Sequence, residues 1–217
     1  MLNFSFFSKK RKPKILCLGA HADDIEIGCG GTILKLINDI RGTQFYWVVF
    51  SGDCKRAEEA KKSANIFLNG ADSKTIIINA FQESYFPFFG SKIKDFFEKL
   101  KRDFCPDLVF THYGNDAHQD HRLISQLTWN TFRDNFILEY EIPKYDGDLG
   151  NPNLYFYLNE RVVQSKIKCI CEVFQSQSEK SWFGEDTFKS ILRIRGMESN
   201  SPSKYAEAFY CRKIIFQ

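Results

Sequence analysis

The sequence contains no apolar run approaching the roughly 20 residues that a membrane-spanning helix requires. Its net charge is only +3, and no basic stripe continues beyond the leading segment Lys9–Lys14, which argues against a nucleic-acid surface. At the N-terminus the apolar stretch is too short for a signal peptide and precedes the charges instead of following them. We therefore expect a cytoplasmic protein with no transmembrane segment and no nucleic-acid partner.

The basic leader, the many phenylalanines and the scattered cysteines each have a simple structural interpretation. The basic leader is most simply a solvated approach to the first strand, although Phe4, Phe6 and Phe7 with the lysines would also suit a weak peripheral membrane association. The 22 phenylalanines favour a Phe-rich core over an aromatic binding surface. The seven cysteines are scattered and contain no CxxC pair, which favours reduced thiols.

Strand and helix patterns alternate through the first two thirds of the chain. Short apolar runs such as "KILCLGA" and "QFYWVVF" predict buried strands, and segments such as "SKIKDFFEKLKRDF" have the apolar spacing of amphipathic helices. This alternation predicts an α/β fold: a Rossmann-like three-layer arrangement with a mostly parallel central sheet, forming a single domain over residues 1–217. In such sheets, sites form beyond the carboxyl ends of the strands.

A glycine-rich stretch, "GCGGT", follows the first predicted strand. It lacks both the GxGxxG spacing of a dinucleotide-binding turn and the lysine of a phosphate-binding P-loop. We interpret its glycines as permitting a close approach between a helix beginning at Gly30 and a loop behind the site.

Two polar clusters follow the first and fourth predicted strands. The first is "HADD", His21 to Asp24, and the second is "THYGNDAHQDHR", Thr111 to Arg122. Together they hold all four histidines of the chain, and both are expected at one edge of the sheet. Asp23 and Asp24 would repel each other unless a cation lies beside them, and imidazole with carboxylate suits a catalytic zinc with one open position for water. The alternative is that the two acids only cap the next helix.

The paired motifs resemble the LmbE-like (PIG-L) family of zinc-dependent N-deacetylases. That family reads roughly A-H-P-D-D-E followed by G-C-G-G-T, with H-x-D-H after the fourth strand, and this chain has "AHADDIEIGCGGT" and "NDAHQDHR". "KRAEEAKKSANIFLNGAD" and "KYAEAFYCRKI" extend the resemblance over nearly the whole chain. Ala22 replaces the usual proline and Ile25 a frequent glutamate, and neither change touches a proposed ligand.

The resemblance implies a role for each site residue. His21, Asp24 and His121 are expected to be the zinc ligands. Asp23 is expected to be the general base, and His118 the group that stabilises the oxyanion. Three further expectations follow: Asp120 orients a histidine, an adjacent acid (Asp116 or Asp120) keeps His118 protonated, and Arg56 contacts the substrate sugar or its anionic substituent. From the residues alone, Arg56 would equally suit an ion pair with Glu59.

The expected function is zinc-dependent hydrolysis of the N-acetyl group of an amino-sugar conjugate, a small-molecule substrate that could be a nucleotide sugar, a glycolipid or a glycoside. Two alternatives stay open: a zinc hydrolase of another amide or ester, and a non-catalytic binding module with a vestigial metal site. The sequence is also compatible with a homo-oligomer.

Overall fold

The alternation of strands and helices predicted from the sequence is present in the structure. The computed structural model describes residues 12–215, so the leader before Lys12 and the residues Phe4, Phe6 and Phe7 lie outside it. The five predicted strands are β1 (Lys14–Gly19), β2 (Gln44–Val49), β3 (Ser73–Ile78), β4 (Leu108–His112) and β5 (Phe136–Tyr140).

Six α-helices occur within the described residues. They are α1 (Asp24–Asp39), α2 (Cys54–Phe67), α3 (Gly90–Asp103), α4 (Gln119–Thr131), α5 (Glu160–Val173) and α6 (Glu185–Glu198). A short 3₁₀ helix, Phe86–Phe89, leads into α3. None of the helices within residues 12–215 is both long enough and apolar enough to cross a bilayer.

The strands form one seven-stranded sheet in the order β3-β2-β1-β4-β5-β7-β6, where β6 is Leu154–Tyr157 and β7 is Ala206–Tyr210. Strands β1 to β5 are parallel, and β7 is antiparallel to both β5 and β6. This confirms the predicted mostly parallel α/β sheet. Strands β1 and β4 are neighbours, so the loops that follow them leave the same edge of the sheet.

Helices cover both faces of the sheet and make the fold three-layered. One core contains residues of α1, α2, α5 and α6, among them Phe67 and Ile170. The other contains residues of α3 and α4, among them Phe97 and Ile124. Many phenylalanines are fully buried in these two cores, in agreement with the expected Phe-rich core, whereas Phe88 is 79% exposed.

Helix α1 begins at Asp24, six residues before the predicted start at Gly30, and the glycines lie inside it. A Cβ added to Gly28 would lie 2.1 Å from Cδ2 of Tyr140, and one added to Gly30 would lie 2.6 Å from Cε1 of Phe67. The glycines therefore let α1 pack directly onto large core side chains. We expected these glycines to let a helix approach a loop, and this is wrong: they let α1 approach side chains of the core.

Strand β6 was not predicted. Its four residues, "LYFY", are all partly exposed, so they show no alternation between a buried and a solvent-facing side. It forms the sheet edge beyond β7, and only tertiary pairing defines it.

Candidate metal centre and active site

The two predicted clusters meet at the carboxyl ends of β1 and β4. His21 lies in the β1–α1 loop, and His121 in the first turn of α4. Nδ1 of His21 is 3.1 Å from Nε2 of His121, although the residues are 100 positions apart in the chain. Both side chains are almost completely buried.

Asp24, the first residue of α1, supplies the third donor group. Its Oδ2 lies 3.5 Å from Nδ1 of His21, and its Oδ1 lies 3.6 Å from Nε2 of His121. For a tetrahedral zinc with bonds of 2.0–2.2 Å, two ligand atoms are separated by about 3.3–3.6 Å. The two Asp24 distances involve different carboxylate oxygens, and with spacings of 3.1–3.6 Å the three side chains are close enough to share one zinc-sized cation.

The other ring nitrogen of each histidine contacts a carboxylate. Nε2 of His21 is 3.2 Å from Oδ2 of Asp120, and Nδ1 of His121 is 2.9 Å from Oδ2 of Asp116. Metal-binding histidines usually donate their second N–H in this way, which fixes the tautomer and the orientation of the ring. Asp120 thus has the predicted contact with a histidine, and Asp116 makes an equivalent one.

Two further sets of three residues have potential donor atoms within 4.8 Å of one another: His21 with His118 and His121, and Asp24 with His112 and His121. In both sets the additional histidine already accepts a backbone hydrogen bond. Nδ1 of His118 accepts from the Asp120 N–H (3.2 Å), and Nε2 of His112 accepts from the Ala20 N–H (2.9 Å). His21 and His121 differ from these two histidines because a carboxylate contacts the second ring nitrogen of each, as is usual for metal-binding imidazoles, and this favours the predicted set of His21, Asp24 and His121.

Asp23 occupies the N-cap position of α1, but its side chain makes no capping hydrogen bond. Its Oδ2 is buried and has no hydrogen-bond partner within residues 12–215. Its Oδ1 lies 3.6 Å from Nη2 of Arg56. The side chain lines the pocket beside the three donor groups, so the simple capping alternative does not describe it.

Burial and neighbouring charges shift the pKa values of Asp23 and Asp24 in opposite directions. Burial and the charge of Asp24 raise the pKa of Asp23 above its usual value. Burial acts in the same direction on Asp24, but His121, His112 and His21 outweigh it and hold the pKa of Asp24 well below its usual value. Burial opposes the charge on His21, yet Asp24 and Asp120 raise the pKa of His21 to about 10. The cluster thus stabilises a positive charge.

His118, the N-cap residue of α4, differs from expectation. The carboxylate of Asp116 bonds the His118 backbone N–H rather than the ring, and Asp120 approaches the ring only through its backbone N–H. Burial and the charge of His21 lower the pKa of His118. No carboxylate within residues 12–215 hydrogen-bonds the His118 ring, so the expected contact with an adjacent acid is not formed. Because Nδ1 accepts from the Asp120 N–H, Nε2 is the ring nitrogen left to donate, and the charge of His118 during the reaction stays a prediction.

Arg56 lies in the first turn of α2, and its guanidinium reaches Glu83 and Asp23. Glu59, its proposed partner on the same helix, instead accepts hydrogen bonds from Ser176. The alternative of an Arg56–Glu59 ion pair is therefore wrong. Arg56 lines a pocket of about 230 Å³ whose walls also include His21, Asp23, Asp24, His118 and His121.

Sequence reasoning missed three contributions to the site. Asp116 orients His121, although its place five residues earlier in the second cluster was visible. His112 is fully buried, and its ring stacks on His121 with centroids 4.0 Å apart. Glu83 reaches the site from the segment after β3, and no motif marks it.

Glu26 is buried, which raises its pKa well above its usual value, and it does not line the pocket.

Comparisons with known proteins agree with this geometry. Residues 16–132, which are 117 of the 217 residues, match the family described as PIG-L: GlcNAc-PI de-N-acetylase. The Escherichia coli (strain K12) protein named uncharacterized deacetylase YaiS is 29% identical over 160 residues, covering 66% of this chain and 82% of that protein.

Two solved structures share the fold. The conserved protein TT1542 from Thermus thermophilus has a TM-score of 0.71 at 18% identity, covering 94% of this chain and 96% of that one. N,N'-diacetylchitobiose deacetylase from Pyrococcus horikoshii has a TM-score of 0.64 at 22% identity, covering 94% of this chain and 84% of that one. With more than half of its length matching the family, the chain belongs to the PIG-L family of de-N-acetylases.

Proposed function

We propose that the protein is a zinc-dependent hydrolase that removes the N-acetyl group from an N-acetylated amino-sugar conjugate. One observation carries the proposal: three donor groups spaced for a cation lie in a pocket beside Asp23, a buried carboxylate with an oxygen that has no partner within residues 12–215. A closed structural metal site needs neither a pocket nor a spare base. Membership of a de-N-acetylase family supports the same reaction.

His21, Asp24 and His121 would hold the metal, with Asp120 and Asp116 orienting the two imidazoles. Two neutral histidines and one carboxylate leave a divalent ion with about one net positive charge. When bound, zinc would supply Lewis acidity and lower the pKa of water from about 16 to about 7.

Asp23 is proposed as the general base. Its raised pKa brings it closer to neutral pH, which suits a group that must first accept and then return a proton. As the water oxygen bonds to the amide carbon, Asp23 takes the water proton. It then delivers that proton to the nitrogen as the C–N bond breaks, which releases the free amine and acetic acid; the acid keeps the second water proton until it ionises to acetate.

His118 is proposed to stabilise the oxyanion. Since its Nδ1 accepts a hydrogen bond from the Asp120 backbone, the proton on Nε2 is free to be donated to the carbonyl oxygen as negative charge develops. Arg56, fixed between Asp23 and Glu83, is proposed to contact the sugar. The substrate is a small molecule, and we propose that the protein acts in the cytoplasm.

The test measures acetate release from a panel of N-acetyl-amino-sugar conjugates, using protein stripped of metal and protein reloaded with one equivalent of zinc. We expect acetate only from the zinc-loaded protein. A zinc-loaded protein that releases no acetate, yet hydrolyses other amides or esters, would support the alternative hydrolase. Bound zinc with no hydrolysis of any substrate would support a non-catalytic module.

A further inference from the structure

The two carboxylates that contact the metal-binding histidines are themselves held in different ways. Asp120, the partner of His21, accepts hydrogen bonds from the backbone N–H groups of Ser84 (2.6 Å) and Phe86 (3.1 Å). The main chain of the segment after β3 therefore fixes the orientation of this carboxylate. Asp116, the partner of the other histidine, depends in addition on a side chain from a distant segment.

Asp116 is almost completely buried, and both of its oxygens have partners. Its Oδ1 accepts the backbone N–H of His118 at 2.8 Å. Its Oδ2, which lies 2.9 Å from Nδ1 of His121, also lies 3.1 Å from Nζ of Lys144. One carboxylate oxygen thus faces both a metal-binding imidazole and an ammonium that is 28 residues further along the chain. An ammonium is a strong donor to a carboxylate because the hydrogen bond is charge-assisted.

Lys144 holds the turn before α4 from two sides. Its Nζ is also 2.6 Å from Oδ2 of Asp148, and the same oxygen of Asp148 accepts the backbone N–H of Ala117 at 2.7 Å. The Lys144 side chain is only 9% exposed, so water has little access to these contacts. The turn at Asp116 and Ala117 and the segment after β5 are therefore joined through one lysine.

The segment after β5 is also a wall of the pocket. Ile142, Lys144, Tyr145 and Asp146 all line it. Lys144 lies outside the two polar clusters that carry the family resemblance, and it stands where this wall meets the support of the metal site.

We infer that Lys144 is a positioning residue that holds the Asp116 carboxylate toward Nδ1 of His121 and so joins the metal site to the pocket wall. The inference rests on the zinc site of the proposed function and adds to it a residue that no motif marks. As an ammonium, Lys144 has no lone pair for a metal. It is also separate from the proposed base, since Asp23 pairs with Arg56.

The expected consequence of losing Lys144 is weaker zinc binding. Without the ammonium, the Asp116 carboxylate can turn away from His121, and the imidazole is then less well oriented for the metal. Removing a group that orients a metal-binding histidine typically costs about 10–100-fold in metal affinity. Lys144 acts through one further contact, so we expect a loss of about tenfold, at the lower end of that range.

The test measures the Kd of zinc by competition with a chromophoric chelator for the wild type, Lys144→Met, Asp148→Asn and Lys94→Met. Lys94→Met is the matched control: Lys94 also pairs with a carboxylate, that of Glu98, and donates to Thr131, but it does not line the pocket. Asp148→Asn breaks the other ion pair of Lys144 and leaves its contact with Asp116 in place.

We expect Lys144→Met to raise the Kd of zinc about tenfold, and Asp148→Asn and Lys94→Met to stay within about twofold of the wild type. An unchanged Kd in Lys144→Met would overturn the inference. A loss in Asp148→Asn as large as that in Lys144→Met would also overturn it, because the lysine would then support the segment after β5 and not the histidine.

A double-mutant cycle tests whether the effect passes through Asp116. In an Asp116→Asn background, Lys144→Met should change the Kd of zinc by less than about twofold, since the carboxylate on which the lysine acts is gone. A full tenfold loss in that background would overturn the inference. If Lys144→Met does not fold, the double variant Lys144→Met/Asp148→Asn is compared with Asp148→Asn alone, which leaves fewer unpaired carboxylates and isolates the same contact.

These measurements use no substrate, so they are distinguishable from a failure of the proposed function. A wild type that binds zinc and releases no acetate contradicts the deacetylase proposal, and the role of Lys144 is then decided by the zinc affinities alone. A wild type that binds no zinc overturns both.

Discussion

Helix α1 touches two buried polar clusters, and they differ in whether their polar atoms are paired. The first, at the N-terminal end, is the metal cluster of His21, Asp23, Asp24 and His121. The second lies two turns further along, where Glu207 of β7 accepts hydrogen bonds from the backbone N–H groups of Gly31 (2.7 Å) and Thr32 (2.6 Å) and pairs with Lys166 at 2.6 Å.

The Glu207 cluster is closed by the protein itself. Lys166 also donates to the Ile27 carbonyl, and both oxygens of Glu207 have partners. In the metal cluster, Oδ2 of Asp23 has no partner within residues 12–215, and potential donor atoms of His21, Asp24 and His121 lie 3.1–3.6 Å apart. Buried polar groups are normally satisfied, and the proposed cation and substrate would complete the unpaired Asp23 carboxylate and the donor groups beside it.

The largest expected effect comes from removing a donor of the metal cluster. His121→Ala should lose most of the bound zinc, and acetate release should fall on the order of 10⁴-fold, since metal chemistry supplies several kcal/mol of transition-state stabilisation. Elemental analysis and the acetate assay measure the two quantities. Full zinc content in His121→Ala would remove this histidine from the ligand set.

The Glu207 cluster should respond in stability rather than in metal content. Glu207→Gln leaves the charge of Lys166 buried without its counter-ion and should lower the free energy of unfolding by about 3–5 kcal/mol. Urea unfolding measures this. Lys166→Met combined with Glu207→Gln removes the stranded charge and should recover much of the loss.

The matched control for Glu207 is Asp39→Asn on the same helix, where Asp39 pairs with Lys35 in a solvent-exposed ion pair. It should change stability by less than about 1 kcal/mol. If Glu207→Gln and Asp39→Asn destabilise the protein equally, the contrast between a closed buried cluster and an ordinary surface pair is lost.

His118 tests whether a hydrogen-bond donor beside the metal cluster acts on the reaction. His118→Ala should lower kcat by about 10²–10³, the usual loss for one oxyanion donor, while zinc stays bound. Single-turnover acetate release and metal analysis check both halves of this expectation. A variant that keeps wild-type kcat would exclude the proposed donation from Nε2.

The smallest expected effect concerns how closely α1 approaches the Glu207 cluster. A Cβ on Gly31 would lie 2.9 Å from Oε1 of Glu207 and 2.5 Å from Cδ1 of Leu158, so Gly31→Ala should cost about 1–3 kcal/mol of stability through overpacking. Gly90→Ala is the control, since a Cβ there would have no atom of the described residues within 4 Å. Similar unfolding curves for the two variants would contradict this interpretation of the glycine motif.

Much of the fold could be predicted because its signals are local. Periodicity located β1 to β5 and α1 to α4, and the helices between successive strands indicated a mostly parallel sheet. The start of α1 and the existence of β6 could not be predicted, for opposite reasons. Glycines at 28 to 31 resemble a turn until Tyr140 is known to lie against them, and β6 has no alternating face.

The site was predictable where residue types alone require a cation. Asp23 and Asp24 are adjacent carboxylates beside His21, and their mutual repulsion predicts a cation from the sequence alone. The lowered pKa of His118 arises from burial and the charge of His21, and its Nδ1 contact is with the backbone N–H of Asp120; spacing reveals neither. Likewise, the contacts of Arg56 with Glu83 and of Asp116 with His121 depend on how loops distant in sequence meet.

Asp23 is proposed as the general base and Asp24 as a metal ligand, and one paired measurement distinguishes these two roles. Zinc content and acetate release are measured for Asp23→Asn and Asp24→Asn, two isosteric changes at adjacent positions. We expect Asp23→Asn to keep about one zinc per chain while kcat falls by about 10²–10⁴, and Asp24→Asn to lose the zinc. An Asp23→Asn protein that loses its zinc, or that turns over like the wild type, would contradict the account.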